Sequence, residues 1–235
     1  MMIKTNYYLR GVFFLASSIC VPVLGAQTLL EWDFGGRGTE PPASQAANVI
    51  GTDMESSTLS LGSGLTIANG SNAFYALDMP GPGTDLSDAV SGDDYFAFFA
   101  ESVSGTVMSL SDLDFTLRRP SANSAQLFQW EYSLDGFATD GVSLGSEIDL
   151  SGSNAVTSFN LDLASIAALQ AVDSVEFRLY GYDRPSASNA SAGFAGNDAI
   201  ILSGTTAAVP ESSYFAGMIS IAIFSATVGL RRRYS

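Results

Sequence analysis

The chain is 235 residues long, carries a formal net charge of −14, and contains one cysteine and no histidine. The missing histidines remove the commonest general base and metal ligand. The acid excess repels phosphate backbones and excludes nucleic acid as a partner, and a lone cysteine forms no internal disulfide, which leaves stability to an apolar core.

The first element is a leader. "MMIKTNYYLR" supplies Lys4 and Arg10 without an acid, and "GVFFLASSICVPVLGA" follows as an apolar run ending in small residues. That layout predicts a secretory signal peptide over 1–26, cleaved after Gly25 or Ala26. Pro22 interrupts the run, and what precedes it is too short to span a bilayer. Cys20 lies inside the leader behind Ile19, not behind the small residue that a lipidation signal needs. Between the leader and the C-terminal tail stand five arginines against 23 acids, a net charge of −18.

Residues 27–205 read as one domain. Short apolar runs alternate with Gly, Ser, Asn and Asp, which are strand signals with turn punctuation. In chain order the predicted strands are LLEWDF, STLSL, GLTIAN, AFYALDM, DYFAFFAE, GTVMSL, DLDFTLRR, QLFQWEYSL, AVTSFNLDL, SVEFRLYGY and DAIILSG. Several alternate strictly. Phe128, Trp130, Tyr132 and Leu134 share one face of their run; Leu113, Phe115 and Leu117 oppose Asp114, Thr116 and Arg118; Val175, Phe177 and Leu179 oppose Glu176, Arg178, Tyr180 and Tyr182. Period-two strands with one wet face predict antiparallel sheets. The only predicted helix is Leu163–Val172, with Ser165 as its cap. The expected fold is therefore an all-β antiparallel sandwich of jelly-roll type.

A small-residue linker, Thr205–Ser213, leads to the last element, within a tail of residues 206–235. Its apolar run, Phe215–Leu230, has 16 residues. At about 1.5 Å per residue that is roughly 24 Å, short of a bilayer core of about 30 Å. Tyr214 and the arginines extend it to a marginal single transmembrane helix. Arg231, Arg232 and Arg233 would keep its end in the cytoplasm. Val209, Pro210 and Glu211, then a short helix, then an arginine cluster resemble the PEP-CTERM sorting signal of Gram-negative bacteria. Ser212 stands where that motif usually has a second proline. The resemblance implies an exosortase-type processing enzyme as partner, a transient stay in the inner membrane, and a destination at the cell surface or in the extracellular matrix. A permanent single-pass anchor has the same layout and stays open as an alternative.

The middle is similar to a β-rich domain found ahead of such tails, through DYFAFF, SLSDLDFTLRR, EYSLDGF, SVEFRLYGYDR and GNDAIILSG, in that order. That likeness covers most of residues 29–204 and implies the jelly-roll class used by carbohydrate-binding modules and lectins. By the same resemblance, Asp33 and Asp198 occupy the strand ends where such modules hold a structural calcium, which prefers oxygen ligands; both also read as ordinary turn residues. No other cofactor is expected.

No catalytic constellation stands out, and the reading is not an enzyme. Asp93 and Asp94 are adjacent and would point apart; Asp112 and Asp114 share a face but read as a solvated edge. The wet faces offer one binding surface: Arg118, Gln129, Glu131, Arg178, Tyr180 and Tyr182. Tyrosines beside planar polar groups can stack on sugars and bond their hydroxyls. The competing expectation is cross-strand ion pairing, with the tyrosines covering apolar surface. Two functions remain: a structural or adhesive surface protein, and a carbohydrate-binding module whose partner is extracellular polysaccharide.

Overall fold

The computed structural model describes residues 25–36, 38, 42–152, 156–196 and 200–209. Among these are fourteen strands in two antiparallel sheets. One sheet runs β3 (Val49–Ile50), β1 (Gln27–Trp32), β14 (Ile200–Ala208), β8 (Thr106–Arg118), β13 (Ala192–Ala195), β6 (Ala73–Leu77), β5 (Thr66–Ala68), with β11 (Val156–Asp162) also paired to β8. The other runs β10 (Val142–Asp149), β9 (Leu127–Ser133), β12 (Ser174–Tyr182), β7 (Tyr95–Glu101), β4 (Thr58–Leu61), β2 (Gln45–Ala46). The expected all-β antiparallel sandwich is what the chain forms.

The alternation sets the faces. Leu113, Phe115 and Leu117 of β8 and Val175, Phe177 and Leu179 of β12 enter one shared core with Phe128, Trp130 and Tyr132 of β9. Leu134 does not join them; it lies beyond the end of β9 and is exposed. Trp130 bridges the layers, with ring centroids 5.4 Å from Phe115 and 6.1 Å from Phe194 across the sandwich. Its neighbours in its own sheet are Phe98 and Phe177.

Four expectations change. The segment 163–172 holds only one turn of 3-10 helix, Ala167–Leu169, and Ser165 does not cap it. Leu163 N donates to Ser111 O at 2.8 Å, and Val172 exchanges backbone bonds with Met108. Those two anchors are three residues apart on β8, about 10 Å, while a ten-residue helix is about 15 Å long. The helix that does form is α1 (Leu86–Ser91), started by Asp85, whose carboxylate accepts from Ser87 N and Asp88 N while Asp88 answers to the Asp85 N–H. GTVMSL and DLDFTLRR are one continuous strand, β8, which carries the irregularity itself: Ser111 is the extra residue between Leu110 and Asp112, opposite the consecutive Ser203 and Gly204 of β14. Finally, Thr205–Ala208 are not linker; they pair with Ser109–Thr106, and Val209 N still donates to Gly105 O at 2.8 Å.

Strands β10 and β13 carry glycines that hide them from pattern reading. Gly193 has φ +148, and a Cβ there would strike the Phe74 carbonyl and the Phe96 ring, so only glycine lets β13 lie between β6 and β8. Just past β8, Arg119 is 3% exposed and, among the described residues, faces no carboxylate at hydrogen-bond distance. Its guanidinium donates to backbone carbonyls instead: Nε to Ser124 (3.2 Å), Nη1 to Ser151 (2.8 Å) and Leu150 (3.4 Å), and Nη2 to Ala122. Among the described residues no helix is long and apolar enough to cross a membrane. The leader through residue 24 and the segment 210–235, with Pro210, Glu211 and Arg231, Arg232, Arg233, lie outside the described residues.

Candidate functional site

The outer face of the six-stranded sheet carries a cleft. Its floor comes from β9 and β12, where Arg178 is opposite Glu131 and Tyr180 opposite Gln129. Helix α1 and the residue after its cap, Asp93, form one wall; the loop 137–141 forms another; Glu147 of β10 closes the floor. The cleft has a volume of about 840 Å³. Five side chains expected from sequence, Gln129, Glu131, Arg178, Tyr180 and Tyr182, line it together. Arg118 does not. It stands exposed on β8 in the opposite sheet, beside Tyr75. Its alternation on β8 is as expected; what differs is which layer β8 belongs to.

Arg178 is the centre of the arrangement. Its Nε donates to Glu176 Oε1 at 2.7 Å. Its guanidinium carbon lies 4.1 Å from the Tyr95 ring centroid and 3.9 Å from that of Phe137, so the cation is held between two π faces. Phe137 reaches this place through a turn in which its own φ is +58. Ser133 Oγ accepts from Phe137 N and Asp135 N, and Thr139 Oγ1 donates to Asp135. The local sequence LDGFAT thus spends its short polar side chains on fixing one aromatic over one arginine.

Tyr180 and Tyr182 are 1% and 2% exposed. They pack with Ala89 of α1, and Tyr95 meets Tyr180 edge-on at 5.6 Å. No sugar ring can stack on them while α1 is in place, so they are floor rather than platform; the expected cross-strand ion pairing is replaced, among the described residues, by a pair within β12, Arg178 with Glu176. Tyr182 Oη donates to Glu147 Oε2 at 2.7 Å. Burial, followed by the Glu147 contact, pushes the Tyr182 phenol well above its ordinary value. Burial also pushes Tyr180 up to about 12, against the opposing effect of Arg178. Both remain neutral donors at any physiological pH. Burial raises the Glu131 carboxyl, with Ser143 opposing and Asp140 adding. Gln129 commits both amide hydrogens to the carbonyls of Trp130 and Leu144. That leaves only its carbonyl oxygen to offer the cleft.

Glu147 and α1 are contributions to the cleft that sequence reading missed. A bulge in β10 between Leu144 and Ile148, with Gly145 at φ +69, brings Glu147 over Tyr182. Broken alternation in GVSLGSEIDL hides that strand. The Asp-x-x-Asp capping box was the available signal for α1.

The other acids have local roles. Asp33 accepts from Gly35 N and receives support from Asn48 at its own N–H, a turn arrangement; Asp198 lies outside the described residues. Asp112 and Asp114 share the side-chain amide of Asn160 on the outer face of the larger sheet. Among the described residues no three metal-ligating side chains cluster. A second hollow, about 870 Å³, lies between Glu55, Glu101, Asp173 and Val209 and contains neither an aromatic ring nor a cation.

Asp94, next to the cleft wall, is nearly buried against the backbones of Gly64 and Gly92. Burial first, then the charges of Asp93 and Asp78, raise its carboxyl to about 6 against the opposing effect of Arg184. The folded form therefore holds this proton more tightly than the unfolded chain. Stability from this group is present below about pH 4 and is lost as pH rises through about 6. Asp94→Asn is expected to raise stability at pH 7.5 by about 1–2 kcal/mol, after allowance for solvent screening. Chemical denaturation at pH 7.5 and pH 5 checks it: the gain over the parent should shrink at the lower pH.

No protein family and no curated protein matches the sequence. Solved structures with partial likeness include the xylan-binding module CBM15 (9% identity, TM-score 0.36, covering 69% of this chain and 90% of the module). Others are TmCBM61 in complex with β-1,4-galactotriose (10%, 0.31, 64% and 88%) and the K1 cleaved adhesin domain of Lys-gingipain from Porphyromonas gingivalis W83 (12%, 0.34, 77% and 98%). Likeness at this level assigns no ligand.

Proposed function

We propose that the sandwich binds polysaccharide in the cleft over β9 and β12, without catalysis, as the working domain of an exported surface protein. The cleft itself carries the reading. Its volume is within the range of small-molecule sites, about 300–1,000 Å³. Apolar Leu86, Val90 and Phe137 alternate around it with fixed acceptors and the guanidinium of Arg178. That mixture suits a ligand with apolar C–H faces and a hydroxyl rim. Oligosaccharide titration followed by calorimetry tests it. Phe137→Ala is expected to weaken binding at least tenfold, while Arg118→Ala on the other sheet leaves it unchanged. Equal losses in both variants, or a blank glycan panel, would return the domain to a purely structural or adhesive role.

The leader and tail support export and sorting on sequence grounds, through Lys4 and Arg10 at one end and Val209–Glu211 with Arg231–Arg233 at the other. The tail is read as a processed signal, its apolar run being short and diluted by Gly217, Ser220, Ser225, Thr227 and Gly229. Mass spectrometry of surface-exposed protein should find peptides ending near Glu211. Intact protein through Arg233 in the membrane of cells that contain the processing enzyme would show a permanent anchor instead.

A further inference from the structure

Five carboxylates from four separate parts of the chain line the cleft: Asp85 and Asp93 at the two ends of α1, Glu131 on β9, Asp140 in the loop, and Glu147 on β10. Among the described residues that line it, Arg178 is the one cation, and Glu176 engages it at 2.7 Å. The balance of hydrogen bonding leans the same way. Gln129 has no N–H left to give, and Tyr182 has spent its hydroxyl proton on Glu147. An ionised carboxylate accepts at about four lone-pair sites. Among the described residues, Asp93 accepts from the Ser63 hydroxyl and Glu147 from that of Tyr182, which leaves each with acceptor capacity to spare.

From this charge and this surplus of acceptors we infer that the cleft is selective for glycans bearing free amino groups, such as glucosamine polymers, over their N-acetylated and acidic counterparts. The inference rests on the glycan reading above. An ammonium brings three donors and a positive charge to a cavity that offers acceptors and negative charge. A uronate or sulfate would meet five like charges, with Arg178 already engaged by Glu176. N-acetylation removes the charge and two of the three donors.

The test uses the full chain and four tetrasaccharides at a pH where the amines are protonated: glucosamine, N-acetylglucosamine, a neutral hexose and galacturonic acid. At low salt, glucosamine tetramer is expected to bind at least tenfold tighter than its N-acetylated form, with the galacturonate weakest. The preference should shrink severalfold at 0.5 M salt. The protein is acidic throughout, so location must be separated from overall charge. Glu131→Gln with Asp140→Asn should lower the amine preference severalfold. Asp112→Asn with Asp114→Asn removes the same charge from the opposite sheet and should leave it intact. Equal erosion by both pairs, or neutral and amino sugars bound equally, overturns the selectivity while the glycan reading stands. No binding by any tetrasaccharide overturns both.

Discussion

Arg119→Ala is expected to lower folding stability by about 2–4 kcal/mol, a large share of what a domain of this size possesses. The cause is the loss of donors, not of an ion pair. One planar guanidinium holds carbonyls from the loop 122–124 and from the turn 150–151. Its rigid fork of five N–H groups is what allows it to serve both at once. Alanine leaves those carbonyls without their partner and opens a void behind Ser124, which is itself fully buried. Arg119→Lys should recover less than half of the loss, because one ammonium cannot span both segments. Urea unfolding checks both variants, with the midpoint moving and the slope constant.

Trp130→Ala is expected to cost about 3–5 kcal/mol. The indole is 1% exposed and meets Phe98 and Phe177 within its own sheet and Phe115 and Phe194 across the core. Its removal thins the contact between layers where four rings converge. The conservative variant separates packing from polarity. Trp130 Nε1 has no hydrogen-bond partner among the described residues, so Trp130→Phe abandons no bond and should cost less than half as much. Thermal unfolding of the two variants against the parent reads the difference.

Period-two alternation was enough to read β8, β9 and β12 and to say which side chains face outward, because that pattern is local to each strand. Partnership between strands is not local. Arg118 obeys its own alternation and still faces away from Arg178, since β8 joins β14 and β11 while β12 joins β7 and β9. The cleft's floor was legible for the same reason that its walls were not. Gln129, Glu131 and Arg178 announce themselves by position in a strand, whereas Phe137 and Asp140 sit in a turn and Glu147 follows a bulge. Tyr180 and Tyr182 looked available because nothing in their own strand says that α1 will cover them. The predicted helix at 163–172 failed through its anchors on β8, which no window of ten residues contains.

The end of β14 has a mechanical consequence. Val209, the last described residue, bonds to Gly105 beside the hollow that Glu101 and Asp173 share, where β7 finishes and β12 begins. Tyr182, on the cleft floor, is eight residues further along β12, roughly 26 Å away at about 3.3 Å per residue. A tail kept past Val209 as a permanent anchor would therefore hold the sandwich at one end while a ligand in the cleft holds it toward the other. Tension between the two runs along the strand axes. It loads the pairing of β14 with β8, nine residue pairs from Ile200 to Ala208, in shear. Those bonds must yield together rather than peel in turn, so the tethering strand is also the one best placed to bear a pull.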